Sequence, residues 1–232
     1  MSPVDPSVSI GRTFTRLISL GVIIVTAASV CSRDFSTDKE PEEITIQATE
    51  PVFVDDPPAE GAELIGSEAP KWDNELWIHS DPLKLQDLRG QVVLVRFWTD
   101  TCPFCEASAP ALGQLHSEYG SKGLKVIGMY HPKPPRDEPL SSVKKSAERL
   151  GISFPIAVDN DWATLRKYWT GSSTRRGYTS VSFLIGKRGK IRHIHPGPEF
   201  HADPTGEHPV CEKEFRRMER WVQKLLAEEG PS

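Results

Sequence analysis

The sequence predicts an α/β fold built on one mixed central sheet flanked by helices. Strand-like and helix-like segments alternate from Gln91 to Trp169, two adjacent strands and a long amphipathic helix follow, and the strand segments are short apolar runs rich in β-branched and aromatic residues. "QVVLVRFW" (Gln91–Trp98), bounded by Gly90, reads as a buried strand. Cys102–Tyr119 reads as a helix that stops at Gly120. "LKVIGMY" (Leu124–Tyr130) is a second buried strand, and "SSVKKSAERLG" (Ser141–Gly151) a helix with a serine cap and a terminal glycine. "FPIAVD" (Phe154–Asp159) is a third strand, and Asp161–Trp169 a short helix. Ser180–Ile194 holds two strands joined at Gly186–Gly189, and Cys211–Glu229 closes the fold as an amphipathic helix.

The 232 residues divide by composition, with no internal repeat. Arg12 and Arg16 precede an apolar run, Leu17–Val30, that ends in small residues, the layout of a secretory signal. As a helix this run reaches about 21 Å, short of the roughly 30 Å hydrocarbon core of a membrane. Residues 1–31 are therefore expected to be a signal peptide or an N-terminal anchor, with a buried core helix as the alternative. The run finishes "AASVCS", similar to a bacterial lipoprotein signal in which Cys31 takes the acyl chain. Residues 32–63 are acidic and broken by Pro41, Pro51, Pro57 and Pro58, as expected of a disordered linker. The folded domain is placed at 64–229. Asp and Glu outnumber Lys and Arg by 32 to 28, so no basic excess supports nucleic-acid binding.

Two of the four cysteines lie in "RFWTDTCPFCEASAPAL", at the junction of a buried strand and a helix. Helix N-termini carry unsatisfied amides and the positive end of the macrodipole, which stabilise a thiolate. Pro103 suits the first helical position. This setting makes Cys102 the exposed nucleophile of lowered pKa and Cys105, one turn in, the resolving thiol. Attack on a target disulfide gives a mixed disulfide that Cys105 then cleaves.

"VVLVRFWTDTCPFCEASAPAL" resembles the thioredoxin superfamily, and specifically the exported TlpA/ResA-type thiol-disulfide oxidoreductases, in which a proline follows the second cysteine by five residues, here Pro110. "LQDLRG", "FPIAVD" and "SFLIGKRGKI" extend the likeness over roughly Leu64–Glu229. The resemblance implies a thioredoxin-like fold, a redox-active Cys102–Cys105 disulfide and no further cofactor. It implies an extracytoplasmic site of action, in the periplasm or on the outer face of the cytoplasmic membrane. The implied partners are disulfide-containing exported proteins and a membrane electron donor, with cytochrome c maturation as the pathway. The substrate loop falls on Thr179, Ser180 and Val181.

The departures are specific. Thr101 stands where the family has tryptophan, and Arg96 where thioredoxin carries a buried acid. Arg96 either faces the site and favours thiolates or runs outward along the strand. Ser180 occupies the position of a cis-proline; a cis bond before serine costs about 3 kcal/mol, so a trans loop is expected. Arg175 and Arg176 precede this loop, either bordering the substrate groove or serving as surface charge.

Two alternatives share these residues. Thr99-x-x-Cys102 resembles the threonine and cysteine of peroxiredoxins, although Val95 stands where their proline falls, and so keeps open a peroxidase. His193, His195, His201, His208 and Cys211 crowd "HIHPGPEFHADPTGEHPVC". No metal is expected, but His195, His201, His208 and Cys211 form an alternative copper or zinc set, as in a Sco-like metallochaperone. Cys211 is otherwise a second redox thiol or a buried cap-region residue.

Overall fold

The computed structural model describes residues 60–171 and 175–231. The signal or anchor expected over 1–31, Cys31 with it, and the linker up to residue 59 lie outside the described residues. Among the described residues no helix is long and apolar enough to cross a membrane.

The strands are β1 (Trp77–Ile78), β2 (Val92–Trp98), β3 (Leu124–Tyr130), β4 (Ile156–Val158), β5 (Ser182–Ile185) and β6 (Ile191–His195). They form one six-stranded sheet in the order β1-β4-β3-β2-β5-β6. The β2–β3 and β3–β4 pairs are parallel, and β1, β5 and β6 add antiparallel neighbours. The helices are α1 (Pro103–Tyr119), α2 (Leu140–Arg149), α3 (Ala163–Leu165) and α4 (Pro209–Ala227).

Strand β2 is buried along its whole length, so its period of two sorts side chains between two cores rather than between core and solvent. Val92, Leu94 and Trp98 join the cluster that takes Leu112 and Leu115 of α1, Val143 of α2, and Phe215 and Met218 of α4. Val93, Val95 and Phe97 face the other layer, with Trp72, Leu165, Tyr168 and Trp169. Each fully buried side chain of this kind contributes about 1.5–3 kcal/mol. The same parity places Arg96, between Leu94 and Trp98, under α1.

Several elements differ from expectation for identifiable reasons. Ser141 does not cap α2; Pro139 holds the N-cap position with no side-chain bond, and its carbonyl accepts from the Ser142 N–H at 2.9 Å. The stretch expected as one helix from Asp161 begins only at Ala163, because Trp162 is left-handed at φ 61°. There the Asp159 carboxylate accepts the N–H groups of Thr164 (2.9 Å) and Leu165 (2.8 Å), and the helix widens into a π-helical turn, Arg166–Thr170. That turn closes through Gly171 N–H to the Arg166 carbonyl at 3.0 Å. Helix α4 starts at Pro209, two residues before the expected Cys211, with proline at its first turn where its missing N–H costs nothing. The linker expected to run to residue 63 gives way to structure by Glu60. Glu60 Oε1 accepts the Gly177 N–H at 2.8 Å, and Glu63 pairs with Arg176, whose guanidinium lies 4.1 Å over the Trp169 ring.

Candidate active site

Parallel pairing brings the carboxyl ends of β2 and β3 to one edge of the sheet, and β5, antiparallel to β2, begins at that edge. Cys102 follows β2, His131 follows β3, and Thr179–Val181 lead into β5. Three separate parts of the sequence thus meet around the dithiol.

Cys102 is the N-cap of α1. Its Sγ accepts the Cys105 N–H at 3.3 Å, and its carbonyl accepts Cys105 N–H at 3.0 Å and Glu106 N–H at 3.1 Å. Pro103 sits in the first turn and spends no hydrogen bond there. Cys102 is half-buried and Cys105 buried; both are free thiols. The Cys105 thiol donates to Cys102 and, with the Cys105 N–H, the Ser180 hydroxyl and the charge of Arg96, outweighs burial and brings the Cys102 pKa down to about 5. The same contact and burial push the Cys105 thiol up, opposed by Arg96 and by the Thr99 N–H. The pair is split into a thiolate at the surface and a protonated thiol behind it.

Arg96 settles on the inward orientation. It is 1 % exposed, and its guanidinium donates to Ser182 Oγ (3.2 Å), Ser108 Oγ (3.5 Å) and the Pro198 carbonyl (3.0 Å). Its Cζ lies 5.6 Å from the centre of the Phe200 ring. Among the described residues it forms no ion pair with a carboxylate. Burial lowers its pKa, and attraction to Cys105 and Cys102 works in the other direction. The sulfurs, together with Glu199, supply its counter-charge.

The substrate-loop residues divide. The Thr179–Ser180 peptide is trans, since among the described residues only Lys133–Pro134 and Gly197–Pro198 are cis. Ser180 turns its hydroxyl to Cys102. Val181 points its side chain into the core, and its carbonyl accepts the Phe97 N–H at 2.9 Å, so it anchors the loop instead of presenting it. Thr179 Oγ1 lies 3.0 Å from Nε2 of His131, a buried, neutral imidazole whose pKa burial and Lys133 bring down to about 3. A cleft of about 300 Å³ opens over Cys102, lined by Thr99, Thr101, Phe104, Lys133, Arg176 and Tyr178 among others. Arg176 thus borders this groove while tied to Trp169 and Glu63, whereas Arg175 is exposed. Thr99 Oγ1 donates to Asp100 Oδ1 at 3.2 Å, and Thr101 is exposed.

His131 and Gly197 were not singled out by sequence. His131 had a signal, standing directly after a buried parallel strand on the cysteine side. Gly197 adopts φ 102°, and a Cβ there would lie 3.0 Å from the Ser180 carbonyl oxygen and 3.1 Å from Tyr178 Cβ, so only glycine lets the two loops touch.

The alternative metal set comes together only in part. One ligand atom each from His201, His208 and Cys211 lie within 4.8 Å of one another. His195 is excluded from them: it is buried in β6, its ring 4.9 Å from that of Phe200. His193 stacks on Trp221 at 5.4 Å.

Comparison with known proteins agrees with this arrangement. The chain is 39% identical over 137 residues to protein DipZ of Mycobacterium bovis, covering 59% of this chain and 18% of DipZ. It is 32% identical over 114 residues to thiol-disulfide oxidoreductase ResA of Geobacillus thermodenitrificans, covering 49% of this chain and 59% of ResA. The matched stretch spans less than two thirds of either relative. A thiol:disulfide interchange protein of the thioredoxin family from Chlorobium tepidum superposes with a TM-score of 0.53 at 20% identity, over 69% of this chain and 96% of that one, which shows the thioredoxin-like fold. The family model that matches covers residues 65–194, more than half of the chain and the sheet up to the last residue of β6, with its cysteine pair, and the chain belongs to the AhpC/TSA family.

Proposed function

We propose that the protein is a thiol-disulfide oxidoreductase that works through Cys102 and Cys105. The observation that carries this reading is the helix-capping Cys102 thiolate with the protonated Cys105 directly behind it. The Cys102 thiolate attacks one sulfur of a target disulfide; that bond breaks and releases a target thiolate. Cys105 then attacks the Cys102 sulfur, its proton passing to the departing target sulfur. The second target thiol leaves, the Cys102–Cys105 disulfide forms, and two electrons have moved to the target. Arg96 and the Thr99 N–H stabilise the charge that develops on Cys105.

The Thr99 hydroxyl is engaged by Asp100, which favours disulfide exchange over a peroxide-positioning role for Thr99. The likeness to ResA, a thiol-disulfide oxidoreductase, supports the same chemistry. We extend the proposal to an extracytoplasmic protein with residues 1–31 as signal or anchor and 32–59 as a linker. It would act on exported proteins, including those of cytochrome c maturation, and be re-reduced by a membrane dithiol donor. The test is turnover of a model disulfide: Cys102→Ser abolishes it, and Cys105→Ser stops after one mixed disulfide. Wild-type turnover in both variants overturns the reading.

A further inference from the structure

We propose that His201, His208 and Cys211, with Glu199, form a zinc-type metal site separate from the dithiol. The donors are two imidazoles and a thiolate, the set that suits a borderline ion such as Zn2+. One ligand atom from each lies within 4.8 Å of the others, and Cys211 Sγ donates to Glu199 Oε1 at 3.7 Å. The edges of a tetrahedron drawn around Zn2+ with ordinary Zn–N and Zn–S bonds run to about 3.3–3.8 Å. The Cys211–Glu199 pair already has that spacing; His201, His208 and Cys211, within 4.8 Å of one another, close in by up to about 1 Å, and Glu199, outside that group, enters through its contact with Cys211.

The surroundings fix the ligands as outer partners of a metal site do. Nδ1 of His201 lies 3.0 Å from the Ala202 carbonyl. A carbonyl can only accept, so Nδ1 carries the proton and Nε2 keeps its lone pair for a metal. The backbone N–H of His208 donates to Asp203 Oδ2 at 2.6 Å, and the backbone N–H of Asp203 donates to Glu212 Oε2 at 2.6 Å, which fixes the chain leading into α4. On the inner side, Pro198 is held by Arg96, and the buried Phe200 donates its N–H to Ser108 Oγ at 3.2 Å. Glu199 and His201 therefore project from a fixed backbone, while His208 is the N-cap of α4 and Cys211 lies in its first turn. Binding displaces the Cys211 proton to solvent and frees Glu199 from its thiol contact to serve as the fourth ligand.

The test uses the full chain with Cys31, Cys102 and Cys105 replaced by serine, which leaves Cys211 as the one thiol, titrated with Co2+ as a spectroscopic stand-in for Zn2+. The expected result is one Co2+ per chain with thiolate-to-cobalt absorption in the near ultraviolet, displaced by Zn2+ and abolished by adding Cys211→Ser. His208 is exposed, so His208→Ala keeps the fold, checked by circular dichroism, and weakens binding at least about tenfold. No thiolate-to-cobalt absorption, or affinity unchanged in both His208→Ala and His201→Ala, overturns the proposal whether or not the dithiol reading holds.

Discussion

The Cys105 N–H points at the sulfur of Cys102 across 3.3 Å. With the Cys105 thiol it makes the second cysteine the principal stabiliser of the first one's charge. Alkylation of Cys102 by iodoacetamide is expected to titrate near pH 5. The sign follows from the lowered value: the reactive thiolate is present above this pH and is lost as pH falls through it. Cys105→Ala removes the thiol donor and moves the midpoint up, and Cys105→Ser, which keeps a hydroxyl donor, moves it less. A Cys102 midpoint near an ordinary thiol, unchanged in both variants, contradicts this assignment.

Arg96 places a permanent cation behind the sulfurs, and among the described residues no carboxylate is ion-paired with it, although the charge of Glu199 acts on it. Such a charge stabilises the dithiol side of the couple and makes the protein more oxidising. Arg96→Met is expected to lower the reduction potential by about 30 mV for each tenfold loss of thiolate stabilisation. The Cys102 midpoint should rise with it. Equilibration against glutathione reads the potential, and an unchanged value in Arg96→Met means that the guanidinium serves packing alone.

Gly197→Ala puts a methyl group 3.0 Å from the Ser180 carbonyl oxygen on a left-handed backbone. Strain of this kind costs on the order of 1–3 kcal/mol. The variant should lose turnover with a protein disulfide, which needs the Ser180 loop, more than it loses reactivity with iodoacetamide, which needs only Cys102. Equal loss of both, or of neither, places the loop outside substrate contact.

His131, His193 and His195 are held neutral by burial, with pKa values brought down to about 3. The unfolded chain takes up these protons near pH 6.5 while the fold resists them until about 3, so stability is complete above pH 6.5 and falls as acid is added. Each group opposes folding by about 1.4 kcal/mol per pH unit across that window. The urea midpoint should drop clearly from pH 7 to pH 5, and His193→Phe, which keeps a ring to stack on Trp221, should reduce the drop. A flat midpoint between these pH values contradicts the burial of neutral histidines.

The sheet was legible in the sequence because β2 and β3 are unbroken apolar runs and because Gly90, Gly120 and Gly151 mark element ends. Strand β1 was not: two residues, Trp77 and Ile78, carry no periodicity, and their partners Ala157 and Ile156 are distant in the chain. The Asp159 cap was invisible for a similar reason, since a carboxylate ending one strand serves a helix several residues on. Cys102 and Cys105 were legible from spacing and Pro103. Arg96 was readable only as far as the alternation of β2, which puts it with Leu94 and Trp98 without saying which layer covers them. Ser180 was found through the resemblance, whereas His131 and Gly197 owe their places to contacts between loops that sequence distance hides.

The most direct test is to mix reduced Cys105→Ser protein with a model disulfide, quench in acid, and map the adduct by mass spectrometry. A single mixed disulfide on Cys102, formed at a rate that falls as pH drops through a thiol midpoint somewhat above the wild-type value of about 5, is the predicted result. An adduct confined to Cys211, or none at all while the wild type still reduces the disulfide, would contradict Cys102 as the attacking thiolate.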